Sequence, residues 1–425
     1  MHIIKRCLRI LGPGVITGAA DDDPSGIATY SQTGAQFGYG QLWTAVFMLP
    51  LLIAIQEACA RIGAVTGKGI TKVIQEHYNK HILYSVVFLV ILANTINIGA
   101  DIGAMAEAAH LIIPIPFVVL TLLFTAVTLI LEIFITYKKY ANILKWLCLS
   151  LLAYPLTVFI VSEPWSLLLK ATFVPHVEWS FSFLFIITGV LGTTLSPYLF
   201  FWQASQEVEE ERAKHLIKRD GTPRISRRFI RNLRIDNFMG MLFSEVVTWS
   251  IIVVAATVLH AHGIVDIKTA ADAAKALEPL VQSFPNAGYT AKVIFSIGII
   301  GLGLLAVPVL AGSAAYALSE ALNWREGLNL KFKRAHGFYG VITIATLVGL
   351  CINFMGIDPM KALVYAAVIN AIVSVPLIFI VSRIAKNEKI MGPYKSGLLS
   401  KIFVGITFIG VTVTALALLY TFIKS

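Results

Sequence analysis

Gly18-Ala19-Ala20-Asp21-Asp22-Asp23-Pro24-Ser25-Gly26-Ile27-Ala28-Thr29 sets three consecutive acids, a proline and a glycine inside an otherwise apolar stretch. Proline lacks a backbone donor and clashes with the preceding turn, so a helix through this stretch has to break at the acids. Inside a membrane such a break leaves carbonyls unpartnered, which is tolerated only where they are buried in protein or line a polar cavity. A second apolar stretch carries Leu195-Ser196-Pro197-Tyr198 and breaks for the same reason.

The composition around the two breaks sets the class. With 57% hydrophobic and 14% charged residues and a mean hydropathy of +0.78, the chain repeatedly supplies the ~20 apolar residues that cross a bilayer. Eleven spans are expected, at 12–37 (broken), 42–62, 82–110, 115–136, 142–162, 182–205 (broken), 237–260, 289–321, 337–356, 359–383 and 401–423. Most of the 34 Lys and Arg fall in 1–10, 61–81, 137–145, 205–235, 323–336 and 383–401. The positive-inside rule therefore predicts a cytoplasmic N-terminus and an extracellular C-terminus, in a bacterial-type plasma membrane. The net charge of +10 follows from the same loops. The basic run Arg224 to Arg231 reads as a cytoplasmic loop beside anionic lipid, not as a nucleic-acid site.

Cys7, Cys59, Cys148 and Cys351 are far apart and indicate neither a disulfide framework nor a thiolate metal site. The first span follows a short basic start and carries acids in its middle, unlike a secretory signal. Spans one and six both break and open two consecutive sets of five. An odd number of spans per set inverts the second set, the plan of transporters whose sites lie between discontinuous helices. The fold expected is all-α: a LeuT-like 5+5 inverted repeat over about 10–165 and 180–385 in one transport domain (1–425), with an extra helix at 400–424.

Consecutive aspartates on a helix point about 100° apart, so Asp21, Asp22 and Asp23 cannot all face one ion. Asp23 is the first candidate for contact because Pro24 and Gly26 keep its surroundings irregular. Asp22 or Asp21 is placed in a vestibule that raises the local cation concentration. The second break offers Thr193, Thr194, Ser196, Tyr198 and Gln203. All are oxygen ligands, which hard ions such as Mg²⁺ and Mn²⁺ prefer.

Several stretches carry a family resemblance. Gly12-Pro13-Gly14, Asp23 through Gly26-Ile27-Ala28-Thr29, Gly34 to Tyr39 and Ala60 to Gly69 resemble helices one and two of the Nramp divalent-metal transporters. Gly192 to Pro197 falls where that family has its helix-six metal motif. The family pattern is Asp-Pro-Gly-Asn and Ala-Thr-Val-Met-Pro-His. Here Gly26 stands for the coordinating Asn, Ser196 for the thioether and Tyr198 for the His. Losing sulfur and side-chain ligands suits an ion that keeps part of its water, as Mg²⁺ does, and the pattern looks like the divergent Nramp-related magnesium transporters. The resemblance implies a metal site of Asp23, Gly26, Thr193, Thr194, Ser196 and Asp22.

Asp101 falls where the family has an acid linked to proton transfer, but the second acid is Ala104. Tight proton coupling is therefore not expected, and Asp101 is read as a structural partner or a residual proton carrier. A ~100 mV potential supplies roughly 4.6 kcal/mol to a 2+ ion, enough for uncoupled uptake. Tyr198 and Glu245 are candidates for a proton or structural role. Glu57 should pair with Arg61 at i,i+4, His260 and His262 read as solvated loop residues, and Asn370 as a site contributor or an interhelical hydrogen bond.

The function expected is import of a divalent cation, Mg²⁺ or Mn²⁺, by alternating access. Its partners are the ion and lipid, with no nucleic acid and no cofactor. The main alternative is a proton-coupled Nramp-type Mn²⁺ or Fe²⁺ symporter. A sodium-coupled amino-acid transporter is the more distant one, disfavoured because three aspartates would repel a substrate carboxylate. No His-Glu-x-x-His motif or nucleophile elbow supports an enzyme.

Overall fold

The computed structural model describes residues 13–135, 151–161, 165–218 and 222–424. Most of the expected fifth span, 142–162, lies outside them. The long elements are helices α1 (Pro13–Asp21), α2 (Pro24–Phe37), α3 (Trp43–Thr66), α4 (Lys80–His110), α5 (Phe117–Phe134), α6 (Phe181–Thr194), α7 (Pro197–Ala213), α8 (Arg227–Val258), α9 (Ala287–Leu322), α10 (His336–Ile352), α11 (Pro359–Lys386) and α12 (Leu398–Lys424).

Eight helices among the described residues are long and apolar enough to cross a bilayer, counting α6 and α7 as one. The first span is two halves of 9 and 14 residues, and α10 has 17. The eight so counted leave out the broken first span, the 17-residue α10 and the expected fifth span, most of which lies outside the described residues. Helix ends otherwise follow the sequence closely, with two exceptions: α7 runs to Ala213, eight residues past the expected end at 205, and α8 starts early. α8 begins at Arg227, ten residues before its apolar stretch, because Ser226 caps it by accepting from the Phe229 N–H at 3.1 Å. The basic run is therefore partly helical.

The two broken helices sit at the centre. The most apolar window of the α6–α7 pair is 94% buried, against 28% for α5 and α12, whose apolar side chains face outward as lipid-facing helices do. The halves α1 and α2 lie along α8, while α6 packs on α11 and α4 on α9. Small residues set the first of these approaches. A Cβ on Gly18 would stand 2.3 Å from Gly240 O, and one on Gly34 would stand 2.4 Å from Ile252 O. Each half of the broken helix is thus seated on the α8 backbone by a glycine, the usual device where no hydrophobic force drives helices together.

Candidate functional site

Both breaks follow from one missing hydrogen. Pro24 has no N–H to return to Ala20 O, and Pro197 has none for Thr193 O. The chain unwinds over Asp22-Asp23 and again over Leu195-Ser196, and each proline then opens the next half-helix. The orphaned carbonyls are taken by hydroxyls. Tyr198 Oη donates to Ala20 O at 2.8 Å, and Ser196 Oγ lies 2.6 Å from Thr193 O and 2.9 Å from Gly192 O. The two breaks are therefore tied to each other through Tyr198.

Asp23 caps α2. Its Oδ1 accepts from the Gly26 N–H at 2.8 Å and from Ser25 Oγ at 2.6 Å. Its Oδ2 accepts from Asn97 Nδ2 at 2.9 Å, with Tyr198 Oη 3.3 Å away. Across the gap, Ser25 Oγ is 3.4 Å from Thr193 Oγ1, and Tyr30 Oη is 3.0 Å from Thr194 Oγ1. Gly26 supplies space, since a Cβ there would press to 3.2 Å on Thr193 Oγ1 and on the Tyr30 ring. Asp23, Gly26, Thr193, Thr194 and Ser196 are all buried in one place.

Asp22 goes elsewhere. Its Oδ1 lies 3.3 Å from Ser244 Oγ and 3.5 Å from Thr248 Oγ1, on α8, and Ser244 Oγ also donates to Asp21 Oδ2 at 2.7 Å. The three acids thus divide, Asp23 toward α4 and α7, Asp21 and Asp22 toward α8. Neither Asp21 nor Asp22 stands in an open vestibule; both are buried where α1 is closely seated on α8. Glu245 is buried against the same pair, with no hydrogen-bond partner on either oxygen.

Asp101 accepts from Asn97 Nδ2 at 3.4 Å, so one amide bridges Asp101 to Asp23. Asn370 Nδ2 donates to Asn97 Oδ1 at 3.3 Å and completes the chain to α11. Sequence reasoning missed Asn97. The available signal was its spacing, one turn before Asp101 on an apolar span. Glu57 takes Arg61 Nε and Arg234 Nε, each at 2.9 Å, so the expected local pair is also a tie to α8. His260 and His262 hold the carbonyls of Ala35 and Val258 at 2.8 and 2.7 Å. Among the described residues no three His, Cys, Asp or Glu side chains converge to chelate a metal.

Two interrupted helices that meet at a buried carboxylate among oxygen donors, within a set of long apolar helices, mark an all-helical integral membrane protein, and its fold is LeuT-like. The solved structures share that fold. The chain aligns with a manganese transporter of Eremococcus coleocola, solved with an aromatic bis-isothiourea compound, at TM-score 0.74 and 16% identity, covering 99% of this chain and 87% of that one. It aligns with MhsT in complex with L-phenylalanine at TM-score 0.61 and 13% identity, covering 96% and 97%.

Residues 14–421 match the family described as Nramp, natural resistance-associated macrophage protein-like, and the chain belongs to that family of divalent metal transporters. It is a transporter and not an enzyme. The divalent metal cation transporter MntH of Caldanaerobacter subterraneus subsp. tengcongensis is 26% identical over 419 residues, 94% of this chain and 90% of that protein.

Proposed function

We propose that the chain carries a hard divalent cation, Mg²⁺ or Mn²⁺, across a plasma membrane by alternating access, with Asp23 offsetting the ion's charge between the two breaks. The observation that carries this reading is the donor set. Every polar side chain bonded to Asp23 or facing it across the gap presents oxygen or amide groups, namely Ser25, Asn97, Tyr198 and Thr193. Oxygen sites favour Mg²⁺ and Mn²⁺, while softer metals gain from sulfur or imidazole. Ser196 and Tyr198 in place of a thioether and an imidazole support Mg²⁺ within that pair.

The names of the relatives support the other member of the pair better. The Eremococcus coleocola protein is a manganese transporter, and a proton-coupled Mn²⁺ symporter is the reading such likeness favours. Asp101 would then be the proton carrier, reached from Asp23 through Asn97. Purified protein in liposomes separates the two readings. Saturable Mg²⁺ uptake without internal acidification supports the first, whereas Mn²⁺ uptake with acidification and no Mg²⁺ flux replaces it by the second. Absence of flux for both ions removes the function itself.

A further inference from the structure

The buried acids around the first break differ in what their oxygens touch. Asp23 is supplied with donors on both oxygens. On the α8 side, Asp21 Oδ1, Asp22 Oδ2 and both oxygens of Glu245 have no hydrogen-bond partner, and all three residues are at least nine-tenths buried (0%, 0% and 4% exposed). Glu245 follows Ser244 on α8, and the Ser244 hydroxyl touches both aspartates. None of the three takes part in a salt bridge among the described residues.

Carboxylates enclosed without a counter-charge cost several kcal/mol each, and a buried acid within a membrane faces a partner or a pathway. One divalent ion at Asp23 offsets two charges, yet five carboxylates (Asp21, Asp22, Asp23, Asp101 and Glu245) are buried in this region. Among these five, carboxyl oxygens without a hydrogen-bond partner lie at Asp21, Asp22 and Glu245, with one more, Asp101 Oδ1, on α4, and none at Asp23.

We propose that Asp21, Asp22 and Glu245, with the hydroxyls of Ser244 and Thr248, form a second divalent-cation site, distinct from the one at Asp23. Ser244 Oγ touches both aspartates, at 2.7 and 3.3 Å, and Thr248 Oγ1 stands 3.5 Å from Asp22. These hydroxyls hold the place the ion takes. When it enters, Ser244 turns its proton away and offers a lone pair. The three carboxylates do not meet at one chelating point, so the ion keeps water over part of its shell, as Mg²⁺ commonly does. The break thus presents one cation site to α4 and α7 and another to α8. The choice of ion, though not the existence of the second site, rests on the divalent-cation reading above.

Counting Mn²⁺ on the purified full chain by equilibrium dialysis, with the positions read from an anomalous map of Mn²⁺-soaked crystals, tests this. The wild type should bind two Mn²⁺, one of them bounded by Asp21, Glu245 and Ser244. Glu245→Gln, and separately the double substitution Ser244→Ala with Thr248→Ala, should each leave one Mn²⁺ or weaken the second at least tenfold, with the wild-type elution profile retained. Asp23→Asn should leave the ion at Glu245. A single Mn²⁺ lost in Asp23→Asn and unchanged in Glu245→Gln overturns the second site while leaving the transport function standing. No Mn²⁺ bound by the wild type overturns both.

Discussion

Asn97 donates one side-chain amide toward two carboxylates, to Asp23 Oδ2 at 2.9 Å and to Asp101 Oδ2 at 3.4 Å. Removing it leaves both oxygens short of a donor in a buried setting, at a cost of about 1–3 kcal/mol each. Asn97→Leu should therefore melt at lower temperature and take up divalent ion at least tenfold more slowly, measured in proteoliposomes. Wild-type uptake by Asn97→Leu would show that the bridge is dispensable.

Asp23 combines a cap with a charge, and two substitutions separate them. Asparagine caps helices about as well as aspartate, whereas alanine loses roughly 1 kcal/mol. Asp23→Asn should thus abolish divalent uptake while keeping the cap on Oδ1 and losing the bonds to Oδ2, whereas Asp23→Ala loses the cap as well and melts lower than Asp23→Asn. Full transport by Asp23→Asn would remove the carboxylate from the mechanism.

The breaks were legible because Pro24 and Pro197 each delete a particular backbone donor, a local effect that needs no knowledge of neighbours. Legible too was that Asp21, Asp22 and Asp23 must diverge, since that follows from helical geometry. Which neighbour each acid meets was not. The spans are apolar all round, so periodicity does not mark which face turns inward, and the facing of α8 is set by the close seats at Gly18 and Gly34. Asn97 was overlooked for the same reason: its partners Asp23 and Asn370 come from helices 74 and 273 residues away.

Tyr198 ties the two breaks through Ala20 O, 2.8 Å away. In Tyr198→Phe that carbonyl loses both its helical partner and its substitute. The expected loss is about 1–3 kcal/mol of stability, read by thermal melting in detergent. An unchanged melt would mean that water replaces the hydroxyl.

Glu326 lies between α9 and α10, where burial pushes its carboxyl from the usual 4.5 up to about 7; Glu209 adds to this, and Arg212 and Lys72 oppose it. Between those pH values the folded chain holds a proton that the unfolded chain has released, so stability falls as pH rises through the window and levels off above it. The loss is at most about 3 kcal/mol. Wild type should melt lower at pH 8 than at pH 5.5, and Glu326→Gln should shrink that difference. An equal difference in both proteins would assign the pH dependence to other groups.

Ser196 is the position that best tests ion choice, because its hydroxyl is spent on the backbone oxygens of Gly192 and Thr193. Ser196→Met removes those contacts and adds a thioether beside Thr193 and Thr194. Sulfur favours softer ions, so competition of Cd²⁺ against Mn²⁺ for uptake should strengthen by about tenfold, the equivalent of roughly 1.4 kcal/mol, while any Mg²⁺ flux declines. If Cd²⁺ competes equally well in both proteins, residue 196 does not face the ion, and selectivity has to be sought among Asp23, Thr193 and the acids on the α8 side.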